Sequence, residues 1–317
     1  MVANVDALFL GALTITIGSM LRIATPILFT ALGENFSQSS GIINLGSEGI
    51  MLFAAFSSFI TAINTGSIVI GLIVGILVGT ILSALFCFIT VTLNADQIVT
   101  GIALTMISIG ATSYMIRAFY GTALLPRLPA KELIALPLLS EIPLIGETLF
   151  VQPALVWIGI ILVPICHFVL YRSSFGLKLR ALSQDPRAAE LAGVKVHSYR
   201  YVALLVGGIF AGVGGSYLSL YHVSTFIDNI TLGRGWIAVA IVMFGQWRPL
   251  WILIGALIYA GAEALSGTIQ ALGLLRGVPP DFLLAFPYIV VIIALVLFAR
   301  RASFPPALGK PYRRESR

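Results

Sequence analysis

Residues 66–93 read GSIVIGLIVGILVGTILSALFCFITVTL, a run without a single charged side chain. An α-helix rises about 1.5 Å per residue, so about 20 apolar residues cross the roughly 30 Å hydrocarbon core of a bilayer. This run is long enough to do so, and its Gly71, Gly75 and Gly79 share one helix face. Small residues there let a second helix approach closely, so the stripe is read as helix packing. Working outward, similar runs fall at about 7–32, 41–63, 98–116, 150–171, 199–220, 233–247, 249–271 and 284–299. Only helices or closed barrels satisfy the backbone in lipid. The sequence therefore predicts an all-α polytopic membrane protein of about nine spans, with eight or ten also open. The run at 233–247, closed by GQWRP, is the shortest and is open to being a half-helix.

Composition agrees with this reading. The 317 residues have a mean hydropathy of +1.01, are 58% hydrophobic and only 10% charged, which excludes a soluble enzyme. The 31 Gly and 15 Pro predict close helix contacts and interrupted helices. GGIFAGVGGS (207–216) is dense enough in glycine to suggest a local bend. No polar stretch is long enough to bury a core of its own, so residues 1–317 are read as one transmembrane domain. The first run follows Asp6 without a basic flank and is read as a retained span. Cys87 and Cys166 lack metal or redox spacing and read as packing residues.

Charge distribution sets orientation. Residues 172–200 hold six of the Lys and Arg residues, and Arg300, Arg301, Lys310, Arg313, Arg314 and Arg317 form a second basic block. Nine spans put both blocks in the cytoplasm, with the C-terminus cytoplasmic and the N-terminus outside. The segment Arg117–Leu149, where Glu132, Glu141 and Glu147 balance three basic residues, then also lies outside.

Within the polar loop, SQDPRAAELAG (183–193) carries the signals of a short helix. Asp185 is the expected N-cap, Pro186 the first helical residue, Arg187, Ala188, Ala189, Glu190, Leu191 and Ala192 the body, and Gly193 the C-cap. So short a helix needs a partner surface. A face of Ala188, Ala189 and Ala192 suits a shallow groove, with Arg180, Arg187 and Lys195 at its rim. An amphipathic connector held on anionic membrane lipid is the other reading.

Other signals are absent. There is no GxxxxGK[ST] phosphate loop, and His167, His197 and His222 are too far apart for a compact catalytic motif, so no local signal supports a membrane enzyme. Arg22 and Glu48 lie inside apolar runs, where charges normally find a partner, and are candidates for each other or for the mouth of a pathway. Asn44 suits either role, and Arg234 and Trp236 read as interfacial anchors. Glu48 is the only acid that stands out within the spans, whereas an ion-driven secondary carrier is expected to show midplane acids and paired broken helices.

Several stretches, in order, carry a resemblance. SSFGLKLRALSQDPRAAELAGVKV (173–196) followed by GIFAGVGGSYLSL (208–220) is similar to the coupling loop of bacterial ABC importer permeases of the branched-chain amino acid, ribose and nucleoside superfamily. Further matches are LRIATPILFTALGENFSQSSGIINLGSEGIMLFAAF (21–56), PLLSEIPLIGETLF (137–150), GRGWIAVAIVMFGQWRPL (233–250) and PYIVVIIALVL (287–297). Together they resemble the shorter permease subunit of nucleoside and simple-sugar importers in the bacterial plasma (inner) membrane. The family often has Gly at Ser183, Asn at Asp185 and Asn at Thr105, and the last departure touches substrate preference.

The resemblance implies a cytoplasmic ABC ATPase, a second permease subunit of different sequence and an extracytoplasmic substrate-binding lipoprotein as partners, with no nucleic acid. ATP is then used by the partner subunit, and this chain binds no cofactor. The loop at about 172–200 becomes a coupling loop, with Asp185, Pro186, Arg187, Ala188, Ala189, Glu190 and Gly193 at the ATPase. Arg22, Asn44, Glu48 and Thr105 become pathway or structural polar groups. The spans offer Thr100, Tyr114, Tyr217 and Tyr221 as well, and few fixed charges, which favours a nucleoside over a simple sugar, and either over an amino acid. An ion-gradient-driven carrier of a small polar solute is the alternative.

Overall fold

Helix α1 (Val2–Ser39) packs chiefly against two later helices, Val196–Tyr217 and Pro249–Leu272, and the first of these packs in turn against Ser47–Thr65 and Ile68–Cys87. The computed structural model describes residues 2–121, 125–129, 133–135, 140, 146–273, 279–299 and 304–312. After α1 come α2 (Ser47–Thr65), α3 (Ile68–Cys87) and α4 (Gln97–Tyr120). A short α5 (Gly146–Phe150) precedes α6 (Ala154–Arg172), α7 (Ser174–Gln184), α8 (Pro186–Leu191) and α9 (Val196–Tyr217). The chain closes with α10 (Arg234–Phe244), α11 (Pro249–Leu272) and α12 (Pro280–Ala299). Single π-helical turns extend α3 through Phe88–Thr92 and α9 through Leu218–His222. The only strands among the described residues are a two-residue antiparallel pair, β1 (Ile134–Ala135) with β2 (Val151–Gln152).

All nine apolar runs form helices, but the helices are not of one length. Among the described residues, seven helices are long and apolar enough to cross a membrane. They are Thr14–Ser39, α2, Ile68–Thr92, α4, α6, Val196–His222 and α11. The other two are shorter apolar stretches, α10 and Asp281–Ala294 within α12. The cause at α10 is the backbone before it: Ser224, Asn229, Leu232 and Gly233 all have positive φ, so the helix cannot begin before Arg234. Its 11 residues reach only about 16 Å.

The glycine stripe packs as expected. A Cβ on Gly79 would lie 2.8 Å from both the Gly208 carbonyl and Gly212 Cα, so α3 and α9 meet backbone to backbone. On α9 Gly208 and Gly212 serve this contact, while Gly207 and Gly214 meet α1 and Gly215 meets α2, and the helix is continuous through Tyr217; its irregularity falls later, in the π turn. The opposite face of α3 exposes Val69, Ile73, Leu77, Ile81 and Leu85, as suits lipid or another apolar surface.

Helix α1 continues past the apolar run into GENFSQS (33–39). Those polar side chains are not a loop boundary: Glu34, Asn35, Ser37, Gln38 and Ser39 are all buried. Gln38 Nε2 donates to Glu34 Oε1 (3.2 Å), and Trp247 Nε1 donates to Gln38 Oε1 (2.9 Å). Cys87 and Cys166 are buried free thiols. Of the basic C-terminal block, Arg300, Arg301, Arg313, Arg314 and Arg317 lie outside the described residues, as do Glu132 and Glu141 of the 117–149 segment.

Candidate coupling site and intramembrane polar contacts

Helix α8 is capped as its sequence dictates. The Asp185 carboxylate accepts from the backbone N–H of Arg187 (2.9 Å) and Ala188 (3.1 Å), and Pro186 occupies the first turn, where no N–H is needed. At the other end Gly193 takes φ +84°, with its N–H on the Glu190 carbonyl at 2.9 Å and that of Val194 on the Ala189 carbonyl at 3.0 Å. The expected alanine face is divided, however. Ala189 turns inward onto Leu182, Val196 and Tyr312, while Ala188 and Ala192 point out beside Leu191, which is 82% exposed. Helical geometry explains the difference: residues 188, 191 and 192 share one face, and 189 sits about 100° away.

The second cluster forms where two non-helical stretches meet. Residues 40–46 precede α2 and residues 223–233 precede α10. Glu48, in the first turn of α2, is 1% exposed, yet its partner is not Arg22. Its Oε1 accepts from Thr231 Oγ1 (2.5 Å) and Gly233 N (2.8 Å), and its Oε2 from Gly235 N (2.6 Å). The free N–H groups at the start of α10 supply the donors that a buried carboxylate needs, and the helix dipole adds to the attraction. Arg22 is half-buried one helix away, with Nε on the Gly18 carbonyl at 3.4 Å.

Around Glu48 the two stretches are cross-bonded. Trp236 Nε1 donates to the Leu45 carbonyl (3.1 Å), and Ser47 Oγ donates to that of Gly235 (3.4 Å). Asn44 is buried, with its N–H on Glu34 Oε1 at 3.0 Å. Thr105 of α4 donates to the Gly101 carbonyl (3.0 Å) and reaches that of Leu45 (3.4 Å). The structure thus brings Asn44, Glu48 and Thr105 to one junction and leaves Arg22 out.

Arg234 is not an interfacial anchor. It is 7% exposed and forms an ion pair with Glu263 of α11. Both line a cavity of about 1640 Å³ between α1, α10, α11 and α12, together with Asn229, Trp236, Tyr259 and Thr268. Sequence reading missed the buried Glu34, which accepts from Asn44, and the half-buried Glu263, which pairs with Arg234. For the junction between Glu48 and α10 a usable signal was present: LGSEG (45–49) and LGRG (232–235) are similar, and both open a helix after a non-helical stretch.

The family pattern described as the branched-chain amino acid transport system / permease component matches residues 16–295. The chain belongs to this family. A putative glucose ABC transporter permease of Haloferax volcanii is 34% identical over 94% of this chain and 97% of its own length. A guanosine ABC transporter permease of Bacillus subtilis and a nucleoside ABC transporter permease of Lactococcus lactis are each 33% identical over 95% of this chain and 97% of their own lengths. No solved structure matches the chain. A permease component forms the pore and is not itself the enzyme, so ATP hydrolysis lies on a separate subunit, and the chain is a multi-pass membrane protein.

Proposed function

We propose that this permease imports a neutral polar solute, a nucleoside before a simple sugar, and that α8 is its contact with a cytoplasmic ATPase. The observation that carries the coupling role is α8 itself: a fully capped six-residue helix presenting Ala188, Leu191 and Ala192 outward on a polar loop. A helix so short is stable only when held, and an exposed leucine asks for a covering surface. The relatives named for guanosine, nucleosides and glucose support the solute class. The cavity, largely apolar, has no unpaired fixed charge among Arg234 and Glu263, which neutralise each other, and offers Asn229, Thr268 and aromatic rings beside them. A zwitterionic amino acid asks instead for two free fixed charges. A second permease subunit and an extracytoplasmic binding lipoprotein complete the assembly.

Nine traverses, with the N-terminus outside and the C-terminus cytoplasmic, suit the contacts at the two ends of the bundle. One end gathers Gly41 with Gly309, Ile43 with Gln97, Thr92 with Tyr201, and Tyr171 with Trp247. The other gathers Thr16 with Thr268, Arg117 with Asp228, and Leu128 with Ser224. Each long helix runs from one group to the other, and residues 223–244 make the same passage as a non-helical stretch plus α10.

Uptake of labelled guanosine, adenosine and uridine, beside ribose, galactose, glucose and leucine, into cells with and without this gene tests the solute. Gene-dependent nucleoside uptake is expected. Gene-dependent uptake of leucine alone overturns the proposal.

A further inference from the structure

Residues Phe304–Tyr312, beyond α12 in the sequence, dock on three elements at once. Ala307 N donates to the Ser183 carbonyl at the end of α7 (3.0 Å), and Gly309 N donates to the Gly41 carbonyl at the corner between α1 and α2 (3.0 Å). Tyr312 is buried; its hydroxyl donates to Glu190 Oε2 on α8 at 2.5 Å, and its ring packs with Leu182, Ala189 and Val196. Arg200, buried at the start of α9, lies 5.8 Å from the centre of that ring and donates from Nε to the Ser40 carbonyl (3.3 Å). The Phe304 ring meets Trp247 edge-on with centroids 5.7 Å apart.

We propose that this C-terminal segment is a clasp, with Tyr312 as its positioning residue, that joins α8 to the α1–α2 corner as one body. The proposal rests on the reading of α8 as the ATPase contact. Six helical residues between Asp185 and the Gly193 turn are too few to hold their own direction. With the clasp in place, a displacement of α8 is passed through Tyr312, Ala307 and Gly309 to Gly41. From there it reaches residues 44–48, where Glu48 holds the start of α10. Without the clasp, the same displacement is absorbed by bending of the loop.

The test is solute taken up per ATP hydrolysed, measured in vesicles holding the permease with its ATPase, second permease and binding protein. Tyr312→Ala, and a chain ended after Phe304, are expected to assemble and to keep the KM for ATP while the ratio falls about tenfold. Tyr312→Phe, which loses only the bond to Glu190 and keeps the ring packing, is expected to lower it about threefold to fivefold, the net effect of one ordinary hydrogen bond. A cross-link between Ser183→Cys and Ala307→Cys should restore the ratio in the Tyr312→Ala background. A wild-type ratio in all three variants, or hydrolysis and uptake falling together at an unchanged ratio, overturns the clasp. Ala188→Glu on the outward face separates the two ideas. If it lowers the ratio and the clasp variants do not, the clasp alone fails; if it has no effect, the reading of α8 fails and the clasp with it.

Discussion

Glu48 is the residue on which two helix starts depend, and its replacement should be costly in a way that Arg22 is not. Glu48→Ala strips the acceptor from the Thr231 hydroxyl, from the buried N–H of Gly235 and from the half-buried N–H of Gly233, at about 1–3 kcal/mol for each buried donor left unpaired. A large drop in the melting temperature of the purified protein in detergent is expected, with Glu48→Gln in between, and little change for Arg22→Ala. Because the two do not touch, their effects should add within about 0.5 kcal/mol. A cost for Arg22→Ala close to that of Glu48→Ala, largely cancelled in the double variant, would restore the pairing that the sequence suggested. The opposite holds for Arg234 and Glu263. Glu263→Ala leaves a buried guanidinium unpaired and should cost about 3–5 kcal/mol, whereas replacing both, Arg234→Met with Glu263→Leu, should recover most of it. Recovery absent from the double variant would remove the pair as the cause. Glu48 was legible as a charge within an apolar run. Its partners were not, because backbone N–H groups leave no mark in a sequence and become donors only where a helix begins. Glu34 was hidden for the reverse reason: set among Asn35, Ser37 and Gln38, it looks like the start of a loop, and only its burial shows otherwise.

Helix α8 shows how much local chemistry dictates and where it stops. Its start at Asp185-Pro186 and its end at Gly193 follow from capping rules that involve only neighbouring residues, and the structure has both. Which side faces out depends on residues far along the chain, above all Tyr312, and no local rule supplies that. Leu191→Asp should therefore leave the permease folded while lowering ATPase co-purification and uptake by about tenfold or more, since an apolar contact is replaced by a charge. Ala189→Asp should act differently, by forcing a carboxylate between Leu182, Val196 and Tyr312 and lowering the melting temperature. If both variants lost ATPase binding with equal stability, the assignment of the two faces would be wrong. The glycine stripe on α3 was legible for a related reason, since fourfold spacing fixes a shared face. Its partner stripe, Gly208 and Gly212 on α9, was visible as glycine density, and only the packing shows that α3 is what it meets.

Over the whole molecule, the number and direction of traverses decide every functional statement, and residues 223–244 are where the count is made. Apolar runs found the helices because each is close to the length a bilayer demands. They could not tell a crossing helix from a half-helix, since hydropathy does not record positive φ. If residues 223–233 enter the bundle and α10 completes the passage, Ile227 and Arg248 lie on opposite sides of the membrane, although only 20 residues separate them. Both are exposed, and the native Cys87 and Cys166 are buried, so single cysteines at these positions should report cleanly. In intact cells an impermeant thiol reagent should label Ile227→Cys and leave Arg248→Cys and Ser198→Cys untouched until the membrane is opened. Ser198, beside the basic loop, ties the result to the orientation that the Lys and Arg residues favour. Labelling of Ile227→Cys and Arg248→Cys alike from outside, with Ser198→Cys still shielded, would make 223–244 a re-entrant turn, reduce the count to eight and break the agreement between the two basic blocks. Labelling of Ser198→Cys from outside would invert the chain and put α8 where no cytoplasmic ATPase could reach it.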